Sequence, residues 1–280
     1  MARSEQGTAG RGQFAGVIRA MGALAAAGLA MAAGLLGALA GEAAAQSQPP
    51  ALTRECTAPG TSTATESPLP NVAAALRRKK RIKILAIGAA STAGMGNVRG
   101  GYQALMLKMI KEAAKGVEVE IINRGVSGEL AEQAAQRLKI QVGLTTPDLV
   151  LWQVGTNDAL SYVEVERVEH AVTDTVRWLK EHKVDVVLVG LQYVSGMARD
   201  SHYQAVRVAL RRIAQQENVI IVRRYEAMEI LERAQRAEPG AAVDEFSASE
   251  TAYGCMAQYV ARAISVALFG RNLTPTPSPP

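Results

Sequence analysis

Five short, near-continuous runs of branched apolar residues constrain this chain more than any other feature. They span residues 82–88, 117–123, 148–154, 184–191 and 219–222. A strand that carries apolar side chains at consecutive positions is buried on both faces, as in a parallel sheet covered by helices. Between the runs, apolar residues recur at helical spacing: Tyr102, Leu105, Met109 and Ile110, then Tyr203, Val206, Leu210 and Ile213, then Met256, Tyr259, Val260, Ile264 and Leu268. Helices between parallel strands imply right-handed crossovers. The expected fold is therefore a three-layer α/β/α domain around an open, mostly parallel five-stranded sheet. Ligands of such sheets bind beyond the carboxyl ends of the strands. The segments after Gly88, Asn123, Val154, Leu191 and Val222 are thus the places to look for chemistry.

At 280 residues, 48% apolar and with two cysteines, the chain can bury one sizeable core and is neither disordered nor a disulfide scaffold. The formal charge of +5 comes from 31 basic and 26 acidic residues. No basic stripe interleaves with aromatics, so a nucleic-acid partner is not expected. Arg3, Arg11 and Arg19 precede an uncharged, Ala/Gly-rich run from 21 to 41, followed by Ala43-Ala44-Ala45-Gln46. This is the layout of a signal peptide over residues 1–45 and predicts a periplasmic or secreted protein. The competing reading is a retained anchor, which would be the chain's one membrane contact. Residues 46–70 are rich in Pro, Ser and Thr and read as a linker. A domain over 71–270 and a Pro-rich tail over 271–280 complete the division. The basic run Arg77-Arg78-Lys79-Lys80-Arg81 reads as a solvated helix end, with an anionic-surface contact as the sharper alternative. In an exported chain Cys56 and Cys255 can pair, which would pin the linker to the final helix.

The strand ends carry four motifs in order: Gly88-Ala89-Ala90-Ser91-Thr92-Ala93-Gly94, Asn123-Arg124-Gly125-Val126-Ser127-Gly128, Gly155-Thr156-Asn157-Asp158, and Asp244-Glu245-Phe246-Ser247 leading into the last helix. The ordered set, over residues 82–268, resembles the SGNH (GDSL-like) hydrolase superfamily, in an exported bacterial branch. The resemblance implies a flavodoxin-like fold and an ancestry among carboxylic ester hydrolases. It places Ala90 at the nucleophile position, Ser247 at the histidine position and Asp244 at the triad aspartate. Gly128 and Asn157 fall at the oxyanion positions. Ala90 has no hydroxyl to acylate and Ser247 has no basic nitrogen, so two of three triad members are replaced.

Two readings follow. One is a binding pseudo-enzyme or catalytically impaired hydrolase. The other is an active esterase using a displaced Ser91, with a small ester or acylated glycan as substrate. His202, after the fourth strand, is a base candidate for the second reading and a solvated helix-start residue in the plain one. Asp244 acting on water directly is a slower route. Three scattered histidines, with no carboxylate–histidine spacing, predict no metal, and no dinucleotide fingerprint predicts a cofactor.

Overall fold

The computed structural model describes residues 49–94, 101–237 and 249–269. The expected signal peptide, Asp244, Ser247 and the tail over 271–280 lie outside the described residues. Each apolar run forms a strand: β1 Arg81–Ile87, β2 Glu118–Asn123, β3 Leu149–Gln153, β4 Asp185–Val189 and β5 Ile220–Val222. The sheet order is β2-β1-β3-β4-β5 with every pair parallel. Leu85 stands between Ile122 and Val150, and Trp152 between Ile87 and Leu188. β3 and β4 are buried at all positions, because helices cover both faces.

The helices are α1 Pro70–Lys79, α2 Ala90–Ala93, α3 Gly101–Ala113, α4 Ala131–Thr145, α5 Thr156–Leu160, α6 Val165–Glu181, α7 Ser201–Gln216, α8 Arg224–Arg236 and α9 Glu250–Phe269. α3 packs on α9, while α4, α6 and α7 pack side by side. Tyr203, Val206, Leu210 and Ile213 of α7 are all buried, as their spacing predicts. α1 has no side-chain cap of its own. Its first amides, of Asn71 and Val72, instead donate to the Asp185 carboxylate of β4 at 2.9 Å each, a capping bond supplied across the fold. The basic run closes α1: Arg77, Arg78 and Lys79 occupy its last turn, where cations complement the exposed carbonyls. No helix among the described residues is long and apolar enough to cross a membrane.

The segment expected to be a linker is, over its described part, a strap on the domain. Ala64 bridges Val222 antiparallel. The Thr65 amide donates to the Ile221 carbonyl at 3.0 Å, and the Arg223 amide to the Thr63 carbonyl at 2.7 Å. These bonds occupy the open edge of β5, which would otherwise present unpaired backbone groups. Upstream, a 3-10 turn over Arg54–Cys56 docks on α9. Tyr259 donates its hydroxyl to the Cys56 carbonyl at 2.7 Å, and Thr53 N–H donates to Gln258 at 2.8 Å. Pro, Ser and Thr suit a connector by composition, but the backbone groups of Thr63 and Thr65 and the Thr65 hydroxyl here satisfy a sheet edge.

Cys56 and Cys255 form a disulfide with Cα atoms 5.0 Å apart, bridging 199 positions of sequence. Both residues are buried. Replacing the pair by alanine should cost ~2–5 kcal/mol, because a long loop in the unfolded chain is no longer closed. The shift in urea midpoint measures this. Titration of the denatured, unreduced protein should find no thiol, and two thiols would refute the pairing.

Candidate functional site

The strand order reverses between β1 and β3, so the turns after these strands open toward each other. This is the switch point where open α/β sheets bind ligands. The first turn begins at Gly88 and runs straight into α2. Ala90 is its first helical residue and is half-buried. Ser91, one step further, is turned inward and is only 8% exposed. Its hydroxyl donates to Oε1 of Gln153 at 2.7 Å, and Thr92 donates to the same oxygen at 3.1 Å. A step of about 100° along a helix redirects the side chain from the cleft into the turn. The sequence motif therefore exposes a methyl group and buries the hydroxyl.

The second turn is tied to the first. The Val126 amide donates to the Gly88 carbonyl at 2.8 Å. Asn123 donates its side-chain amide to the Thr92 carbonyl at 2.6 Å and accepts the Gly125 amide at 2.9 Å. Gln103 adds a second amide to Thr92 O at 3.2 Å. Gly125 is required by contact: a Cβ there would stand 2.3 Å from the Ala93 nitrogen. Gly128, exposed at the end of this turn, has φ +78°, a conformation that favours glycine.

The third turn carries Asn157 and Asp158 on α5. Asn157 donates through Nδ2 to the Glu129 carbonyl at 2.9 Å, directly beside Gly128. One Nδ2 hydrogen is thereby committed, leaving a second for a ligand oxygen. Asp158 accepts the Ala131 amide at 2.8 Å and so holds the first turn of α4. Glu129 is itself gripped by Arg137 through two 2.6 Å bonds. The three turns thus converge, bringing Ala90, Gly128 and Asn157 to one edge. Asn123, which opens the second motif, and Gln153 and Glu129, which the motif reading did not single out, are the groups that lock them. Gln153 closes a strand run already flagged, and a polar residue there is the signal that was present.

His202 lies on the same edge, near the start of α7. It stacks on Tyr162 at 5.1 Å between ring centroids, and the Tyr162 hydroxyl donates to Asp200 at 2.7 Å. His170 pairs with Asp174 on the exposed face of α6, and His182 stacks on Trp178. Among the described residues no cluster of three or more His, Cys, Asp or Glu is arranged to hold a metal. A wide surface concavity of about 720 Å³ lies elsewhere, near the amino end of β5, lined by residues such as Thr65, Val208, Arg211 and Asn218.

Burial pushes the Asp158 carboxyl above its ordinary value, against backbone N–H groups that favour the charged form. Between the unfolded and the raised native pKa, the native state holds more protons than the unfolded chain. Stability from this group therefore falls as pH rises through that window. An asparagine in its place would keep the acceptor for the Ala131 amide and carry no charge to desolvate. The Asp158→Asn variant should gain on the native chain between about pH 4 and pH 7, the span above an ordinary carboxylate pKa. Urea titrations of both proteins at the two pH values test this; a pH-independent gap would show that burial does not strain the carboxylate.

Comparison with known proteins bears on the family and the fold. No curated protein matches the chain. An acetylxylan esterase from Geobacillus stearothermophilus superposes with a TM-score of 0.55 at 20% identity, covering 65% of this chain and 94% of that one. An alpha/beta hydrolase enzyme from the metagenome of Lake Arreo, Spain, gives 0.56 at 18% identity, over 67% and 96% of the two chains. A GDSL-like lipase candidate from Parabacteroides merdae gives 0.54 at 18%, over 66% and 96%. At these identities the likeness speaks for the fold. The model of the non-GDSL lipase-like family matches residues 55–268, from the strap to the end of the last helix. The chain belongs to the non-GDSL lipase-like family and has the fold of the SGNH/GDSL-type hydrolase superfamily.

Proposed function

We propose that this protein is an exported member of the SGNH hydrolase fold that binds a small ester or acylated glycan without efficient turnover. The observation that carries the reading is the first turn: Ser91 is buried against Gln153, and the residue that the resemblance puts at the nucleophile position is Ala90, which has no hydroxyl. Acyl transfer needs a hydroxyl at the cleft and a base to take its proton. In this chain the first is a methyl group, and the base position holds Ser247. The resemblance puts Gly128 and Asn157 at the oxyanion positions, and Asn157 Nδ2 keeps one hydrogen beyond its bond to Glu129, which supports ligand binding at the same edge. The esterase named above acts on an acetylated glycan, and that lends this ligand class its support. Export is supported by the N-terminal pattern together with the buried disulfide, which suits an oxidising compartment.

The test is a reconstruction. The native protein should hydrolyse an activated ester such as p-nitrophenyl acetate no faster than its Asn157→Ala variant. Ala90→Ser combined with Ser247→His should create turnover that Asn157→Ala then lowers about 10²–10³-fold, as loss of an oxyanion donor does. Neither single change should suffice, since nucleophile and base act as a unit. A native protein that reacts with a fluorophosphonate probe at Ser91, and loses activity as Ser91→Ala, would instead establish the displaced-serine esterase.

A further inference from the structure

The described residues contain one buried cation whose charge the fold does not answer. Arg224, the first residue of α8, follows β5 directly at the strand-end edge and is 3% exposed. Its Nη2 donates to Oε1 of Gln192 at a long 3.3 Å. Its Nε and Nη1 have no hydrogen-bond partner. The charged acids that follow it in sequence are engaged elsewhere: Glu226 faces Arg207, Arg211 and Arg223, Glu229 pairs with Arg233, and Glu232 with Arg236. The titratable groups that face Arg224 are phenols, Tyr102 from α3, Tyr203 from α7 and Tyr253 from α9. Burial raises Tyr102 and Tyr203 to about 12, so both are neutral at physiological pH. Burial also lowers the Arg224 pKa, yet a guanidinium does not give up its proton in a protein. Among the described residues nothing balances this positive charge, and the fork keeps donor capacity.

The Tyr102 hydroxyl is likewise buried, faces the Thr92 side chain and makes no hydrogen bond of good geometry. Thr92 belongs to the first turn, next to Ala90 and Ser91. Tyr203 donates to the Gln192 carbonyl at 2.7 Å, and the Gln192 amide donates to Thr156 at 3.0 Å. The arginine thus sits on the same network as the first and third turns.

We propose that Arg224 is the recognition group of a carboxylate-binding site at the strand-end edge, taking a small organic monoanion with the Tyr102 hydroxyl as a second donor. A planar carboxylate matches the fork with two parallel N–H···O bonds. One negative charge balances the site; a dianion would leave an excess negative charge in a low-dielectric interior. This rests on the functional reading above only in placing the ligand at the strand ends, and needs no turnover.

The probe is sodium acetate, titrated against the full chain at pH 8.5, where inorganic phosphate is a dianion, and at constant ionic strength, with phosphate and chloride as controls. Acetate should raise the melting temperature saturably, and phosphate and chloride should not. Arg224→Met should abolish the shift, and Tyr102→Phe and Arg224→Lys should each weaken acetate binding about 10-fold or more, as loss of a charge-assisted bond does. If Arg224→Met does not fold, the Tyr102→Phe and Arg224→Lys titrations decide. No saturable acetate effect on the native chain, an equal effect in the Arg224 variants, or tighter binding of phosphate would each overturn the site. So would Asp244→Asn lowering native stability but not that of Arg224→Met, because the counter-ion would then be the chain's own carboxylate. Hydrolysis and probe labelling are read separately, so an active native enzyme would overturn the functional reading while leaving acetate binding to stand or fall alone.

Discussion

The reversal of strand order at β1 governs the rest of the molecule. β1 hydrogen-bonds β2 on one side and β3 on the other, both parallel. The chain therefore leaves β1 toward one edge and returns past it for β3, β4 and β5. Right-handed crossovers then send α3 to one face and α4, α6 and α7 to the other. Between them the turns after β1 and β3 are left uncovered by any connecting helix. The candidate site is the result of that topology before any particular side chain is considered.

Around this gap the polar groups serve the backbone first. Asn123 and Gln103 both donate to Thr92 O, Asn157 donates to Glu129 O, and Asp158 accepts from the Ala131 amide. Each satisfies a main-chain group in a turn that cannot pair within the sheet. Asn157 and Asp158 thus have structural work that is independent of any catalysis. The same logic makes Ser91 a turn residue: its hydroxyl, shared with that of Thr92 on one Gln153 oxygen, ties α2 to β3.

The strap extends this economy to the sheet edge. β5 is only three residues long, and the outer side of an edge strand presents unpaired backbone groups. Residues Thr63 to Thr65 cover it with backbone bonds, and the Cys56–Cys255 bridge anchors the same segment on α9. A family match that begins at residue 55 includes this strap as part of the domain.

The five strands were legible in the sequence because doubly buried strands need consecutive apolar residues, and the helices because one-sided burial imposes a period near 3.6. The absence of a hydroxyl at Ala90 is likewise a covalent fact that no fold can change. Direction and partnership were not legible. Whether Ser91 looks into the cleft or under the turn depends on where α2 begins. Whether Pro, Ser and Thr make a loose linker or a docked strap depends on the β5 edge they meet. That Arg224 is buried beside phenols rather than solvated, as an arginine after a strand ordinarily is, follows from α3, α7 and α9 closing on it from three distant parts of the chain. Local sequence determines which backbone states and surfaces a segment favours. Only tertiary packing brings the separate segments together, and it alone decides which polar groups lose water and what they meet in its place.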